Sequence, residues 1–196
     1  MPVFAQYDFN DTGAFAEDSA LGNGAQIGGY INGASAVGGQ AVFDGQNDLI
    51  KIHADPAFQL DRGTLEINFA TSSAPILSAQ TLLSRDSVGV TEGGYHIDVL
   101  PDGSIQIVHE SASGTQTFGT APGFFNPGAQ INLSYSWDAA TGGQLVIENL
   151  TSAARFDAPV PAGLSMDMGT AVNQPWMIGA GQAASEIGRA SCRERV

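Results

Sequence analysis

Ile131-Asn132-Leu133-Ser134-Tyr135-Ser136-Trp137-Asp138 alternates apolar and polar side chains over its whole length. A period of two places every second side chain on the same face of an extended chain. Ile131, Leu133, Tyr135 and Trp137 therefore share one side, and Asn132, Ser134 and Ser136 the other. The stretch predicts a half-buried strand with Trp137 packed inside.

Working outward from it, Gly63-Thr64-Leu65-Glu66-Ile67-Asn68-Phe69-Ala70 repeats the pattern, with Leu65, Ile67 and Phe69 on one face. Tyr95 to Leu100 and Ser104 to His109 flank Pro101-Asp102-Gly103. Asp-Gly between two alternating runs marks a hairpin, because Gly accepts positive φ. Further strands are expected at Val3–Phe9, Gln40–Gly45, Asp48–His53, Gln80–Arg85, Thr115–Gly119, Gln144–Leu150, Arg155–Val160 and Pro175–Gly179. Asn10 to Gly39 reads as a long Gly-, Asn- and Ala-rich loop with one short strand near Ala25–Ile27. Asp55-Pro56-Ala57-Phe58 fits a single helical turn. No segment holds a helical period over three turns. Many short strands separated by turns predict an all-β, antiparallel two-sheet sandwich.

The 196 residues suit one such domain, and 43% are hydrophobic, enough for a core. Only 14% are charged, and the formal net charge is −13. Nucleic acid is excluded as a partner by that balance, since binding it needs a Lys/Arg surface to displace counterions. Anionic membrane surfaces are disfavoured for the same reason. No apolar run approaches the roughly 20 residues that span a bilayer. The start lacks the basic, apolar and small-residue order of a signal peptide. An acidic, Lys-poor surface fits an extracellular setting.

The last stretch differs in composition. Residues 186–196 hold Arg189, Arg193 and Arg195, three of the seven basic residues, and the only cysteine, Cys192. This string resembles the translation of a common sequencing adapter. The domain is accordingly read as 1–185, ending short of a final strand, with 186–196 set outside the fold. The remaining chain then has no cysteine and no disulfide framework.

Several motifs carry a family resemblance in their order. Tyr7-Asp8-Phe9-Asn10-Asp11 opens the chain, followed by Asp18-Ser19-Ala20-Leu21-Gly22-Asn23-Gly24. Then come Gly38-Gly39-Gln40-Ala41-Val42-Phe43-Asp44-Gly45-Gln46-Asn47-Asp48-Leu49-Ile50, the strand at Gly63, Gly93-Gly94-Tyr95-His96-Ile97 and Leu133-Ser134-Tyr135-Ser136-Trp137-Asp138. Over about residues 3 to 180 the chain resembles the concanavalin A-like lectin/glucanase superfamily in its bacterial laminin-G-like form. The resemblance implies a jelly-roll sandwich whose last strand pairs beside the first. It also implies residence in large secreted proteins.

The chemistry of cleavage is missing. Laminarinase relatives carry Glu-x-Asp-x-x-Glu on one strand, whereas here Glu66 is followed by Asn68 and Ala70. Glu148, Asp98, Asp102 and Glu110 do not form the pattern, and lyase motifs are absent from a chain with one lysine, Lys51. His96 and His109 lie on the two arms of the hairpin and are potential neighbours. Such histidines are more often outward-facing than ligands. Asp18 and Asn23, hard oxygen donors in a Gly-rich loop, are candidate Ca²⁺ ligands, with turn capping as the plainer role. Sugar stacking would use aromatic faces, for which Tyr30, Phe125, Tyr95 and Trp176 are the candidates. The expected function is a non-catalytic recognition module for glycan or a surface protein. A polysaccharide-degrading enzyme of the same fold and a ligand-free spacer are the alternatives.

Overall fold

The computed structural model describes residues 5–19, 28–44, 47–87, 90–169, 173–181 and 193–195. Its strands are β1 Phe15–Ala16, β2 Gly28–Ile31, β3 Ser35–Ala36, β4 Ala41–Val42, β5 Leu49–Ile52, β6 Arg62–Ala70, β7 Gln80–Ser87 and β8 Val90–Val99. They continue with β9 Ile105–Ser111, β10 Gly114–Gly119, β11 Gln130–Asp138, β12 Gly143–Asn149, β13 Ala154–Val160, β14 Trp176–Ile178 and β15 Arg193–Arg195. One 3₁₀ turn, Pro56–Phe58, starts where Asp55 caps it by accepting from the Ala57 amide. No helix among the described residues is long and apolar enough to cross a membrane.

The strands form two antiparallel sheets. One has eight strands in the order β1-β2-β5-β14-β7-β8-β9-β10, the other seven in the order β13-β12-β11-β6-β15-β4-β3. Alternation fixes which face of each is buried. In the eight-stranded sheet Ile50, Ile178, Leu83, Ile97, Ile107 and Phe118 make one continuous inward row across six strands. In the seven-stranded sheet Ile67, Phe69, Ile131, Leu133, Tyr135, Leu145 and Ile147 point inward. The two inner faces merge into a single hydrophobic core. Each fully buried Ile, Leu or Phe contributes about 1.5–3 kcal/mol, so the interleaved rows are the main source of stability.

The structure departs from the sequence reading at four places. Residues 5–10 are irregular where a strand was expected, because Phe9 takes φ 50° and breaks the extended run. Tyr7 and Phe9 are buried all the same, and residue 6 is pinned by side chains of the following loop. The Gly-rich stretch read as loop contributes β1, β2 and β3, so Tyr30 stands in a strand, while the short strand expected near residues 25–27 lies outside the described residues. His96 and His109 point to opposite faces: Tyr95, not His96, is the register partner of His109. Finally, the backbone of Arg193–Arg195, within the segment set outside the fold, pairs with both β4 and β6, Glu194 standing opposite Phe69 and Ala41.

Candidate ligand-binding face

The outward side of the eight-stranded sheet is built by the same register that builds the core. One step from the inward apolar row lies Lys51–Met177–Ser84–His96–Val108–Thr117, a row crossing β5, β14, β7, β8, β9 and β10. At roughly 4.8 Å per strand it spans about 24 Å. A neighbouring row is Thr81–Asp98–Gln106. None of these positions is needed for the core, yet few are fully exposed. The His96 and Asp98 side chains keep 29% and 18% of their accessible surface.

Asp98 is fixed in place. One carboxylate oxygen accepts the Thr81 hydroxyl at 2.8 Å, and the other lies 3.5 Å from His96 Nε2. Ser84 is sealed beneath, its hydroxyl donating to the Ala180 carbonyl at 2.8 Å. The face thus offers a held carboxylate, an imidazole, an amine, a hydroxyl and the Gln106 amide, with Met177 and Val108 as half-buried apolar ground between them. Such a set suits sugar hydroxyls on one side and sugar C–H groups on the other. Asp98 and Glu110 are too widely spaced to act as a glycosidase pair. Glu110, the outward carboxylate of β9, stands four residues beyond the position opposite Asp98, roughly 13 Å along the strand. Glycosidase acid pairs are separated by about 5–9.5 Å.

The outward side of the seven-stranded sheet is different in kind. Arg155 is bonded there to both Glu148 and Asp157, and Glu66 of β6 is exposed on the same face. Across β11 and β6 it also presents Asn132, Ser134, Ser136, Asn68 and Thr64.

The aromatic residues expected to stack on sugars occupy other places. Tyr95 is fully buried, on the same inward parity as Ile97 and Val99, and its ring contacts Tyr135, His109 and Trp176. Phe125 is 4% exposed, its amide bonded to the Gly103 carbonyl. Trp176 is 8% exposed and packs edge-on against Phe58. These three rings have no free face for a ligand. Tyr30 is half-buried against the core, and its hydroxyl donates to Asp11 at 2.7 Å. Burial and that carboxylate push its pKa well up.

Asp18 is 2% exposed and one of its oxygens accepts the Gln6 amide at 2.9 Å, a loop-pinning role. Asn23 lies outside the described residues. Calcium takes six to eight oxygens, and of that loop's expected pair only Asp18 is described. No group of three or more His, Cys, Asp or Glu side chains gathers as a metal site among the described residues.

The sequence reading missed two buried basic residues. Arg85 is fully buried on β7 and donates to the carbonyls of Phe58 (3.0 Å), Met166 (2.8 Å) and Gln174 (3.4 Å) and to the Gln59 side chain (3.3 Å). Burial pushes its pKa down to about 10, partly opposed by Asp167. His109 is also fully buried, between Tyr135 and Ser165. Strand parity was the available signal: Arg85 and His109 fall in register with Tyr95, on the inward side.

No protein-family model and no curated protein sequence matches the chain. Solved structures share its fold. The enzymatically active domain of bacteriophage CBA120 tailspike protein 2 superposes with a TM-score of 0.56 at 11% identity, covering 98% of this chain and 28% of that one. The botulinum neurotoxin serotype D binding domain gives 0.56 at 7% identity, covering 98% and 47%. The CBM40 of Ruminococcus gnavus IT-sialidase gives 0.50 at 14% identity, covering 80% and 89%. The chain thus matches under half the length of the first two. At these identities the likeness is one of fold, a β sandwich.

Proposed function

We propose that the chain is a non-catalytic glycan-binding module of an exported protein, and that it binds through the outward face of its eight-stranded sheet. The observation that carries this reading is the held trio Thr81–Asp98–His96, embedded in a mixed polar and apolar row that the core does not use. Preorganised acceptors and donors bind better than mobile ones because less side-chain freedom is lost. The roughly 13 Å between Asp98 and Glu110 favours recognition over cleavage. Two of the folds named above belong to a carbohydrate-binding module and a toxin binding domain, which makes a binding role a reasonable reading of this architecture.

A glycan array probed with the full chain, with and without calcium, tests it. We expect binding to a subset of glycans, weakened about tenfold or more in Asp98→Ala, the loss of one or two hydrogen bonds to a charged acceptor. Failure to bind any glycan, or Asp98→Ala binding as well as the parent, would overturn the proposal. Release of reducing ends from polysaccharides would replace it with an enzymatic one.

A further inference from the structure

Two carboxylates stand along β8 on the outward face of the eight-stranded sheet. Asp98 marks one end. One of its oxygens accepts the Thr81 hydroxyl at 2.8 Å, and the other lies 3.5 Å from His96 Nε2. Glu110 reaches across from β9 to mark the other end. A Cβ added to Gly94 would stand 2.7 Å from Glu110 Oε2 and 3.5 Å from Glu110 Cβ, so the Glu110 side chain lies over the bare Gly94 backbone. Gly93 needs its freedom for a φ of 69°, whereas Gly94 has no positive φ. The missing side chain at Gly94 makes room for the carboxylate instead. Gly94, His96 and Asp98 share one face of the strand. The two carboxylates are therefore roughly 13 Å apart, with His96 midway.

No fixed cation balances them nearby. Among the described residues of the outward rows, Lys51 is the one Lys or Arg side chain. β14 and β7 stand between β5 and β8, which puts Lys51 three strand spacings, about 14 Å, from His96. That exceeds the screening length of about 8 Å at physiological salt. Any charge that His96 takes up is met by Asp98 beside it. The net charge of −13 adds a field that repels anions at longer range.

We propose, building on the glycan-binding role proposed for this face, that it selects uncharged and amine-bearing glycans and rejects those with sialyl, uronate or sulfate groups, Asp98 and Glu110 being the residues that discriminate. A carboxylate only accepts hydrogen bonds. Sugar hydroxyls, acetamido N–H groups and ammonium groups all supply donors, and bonds to a charged acceptor are about twice as strong as neutral ones. A ligand carboxylate or sulfate supplies none, and like charges brought together across an interface are strongly unfavourable. Selectivity of this kind needs the repulsive element as well as the attractive one. A glycan lying along β8 meets both carboxylates, over a span longer than one sugar ring.

An array of matched glycans, probed with the full chain, tests this. Each neutral glycan is presented beside an acidic counterpart (sialylated, uronate-bearing or sulfated) and an amine-bearing one. We expect the neutral and amine-bearing members to bind and the acidic counterparts to bind at least about tenfold more weakly. Asp98→Asn and Glu110→Gln remove charge while keeping shape. Each should raise the ratio of acidic to neutral binding severalfold, and the double variant should raise it further. Salt gives a second readout on the unaltered chain should a variant not fold. Between about 0.01 and 1 M the screening length falls from about 30 to 3 Å, and the gap between neutral and acidic members should narrow. Acidic members bound as well as their neutral counterparts would overturn the selectivity and leave the binding role standing. So would a ratio that neither variant nor salt changes. Binding of no glycan at all would remove the binding role itself, and the selectivity with it.

Discussion

Arg85 shows how much one side chain can organise. It is a buried cation whose hydrogen-bond partners are all neutral: three backbone carbonyls and one amide oxygen. Those carbonyls belong to the 3₁₀ turn, the stretch that follows β13 and the lead into β14, three segments with no shared strand. Its guanidinium also lies 5.9 Å from the Trp176 ring centre. Replacing it by Met would remove the charge but orphan several buried acceptors, each worth about 1–3 kcal/mol. We expect Arg85→Met to lower unfolding stability by at least about 3 kcal/mol in urea titration, and Arg85→Lys to recover only part of it, since an ammonium cannot reach the same fork of partners. A change under about 1 kcal/mol in Arg85→Met would mean the three segments are held by packing instead.

At the scale of elements, strands with clean alternation were legible in the sequence because burial on one side forces it. β6, β9, β11 and β12 follow the expected ranges closely, and Trp137 lies inside as expected, 5% exposed. An alanine scan along β11 should read that alternation as energy. Leu133→Ala is expected to cost about 2–5 kcal/mol and its neighbour Ser134→Ala under about 0.5 kcal/mol in the same denaturant titration. Equal losses at both positions would deny the assigned faces.

Other elements were less legible for identifiable reasons. β2 and β3 are rich in Gly, Ala and Ser and have little period to show; their backbone pairs because β5 and β4 are already there. The hairpin joining β8 and β9 was recognised, but its register was not. A two-residue Asp102–Gly103 turn would set His96 opposite His109. The chain instead uses three residues, with Gly103 at φ 78° and Leu100 bonding to Ser104. That single residue of difference turns His109 into the core and leaves His96 outside. The same turn of parity buries Tyr95, whose companions Ile97 and Val99 already marked its side as apolar.

The molecule as a whole supplies what no segment could. Lys51, Met177, Ser84, His96, Val108 and Thr117 become one row only through the strand order β5-β14-β7-β8-β9-β10, in which β14 is inserted between β5 and β7, two strands from far earlier in the chain. Sequence reading looked instead for exposed aromatics, and a sandwich of this size draws three of those four rings into its core. The net charge of −13 spreads over surfaces on which Arg155 is already paired, leaving Lys51 as a cation on the proposed face. The most direct measurement is an NMR titration of the chain with a glycan that it binds, following backbone amides. We predict that the shifts gather at Thr81, His96, Asp98 and Gln106 with little change at Glu148 and Arg155. Shifts centred on the seven-stranded sheet would contradict the assignment of the binding face.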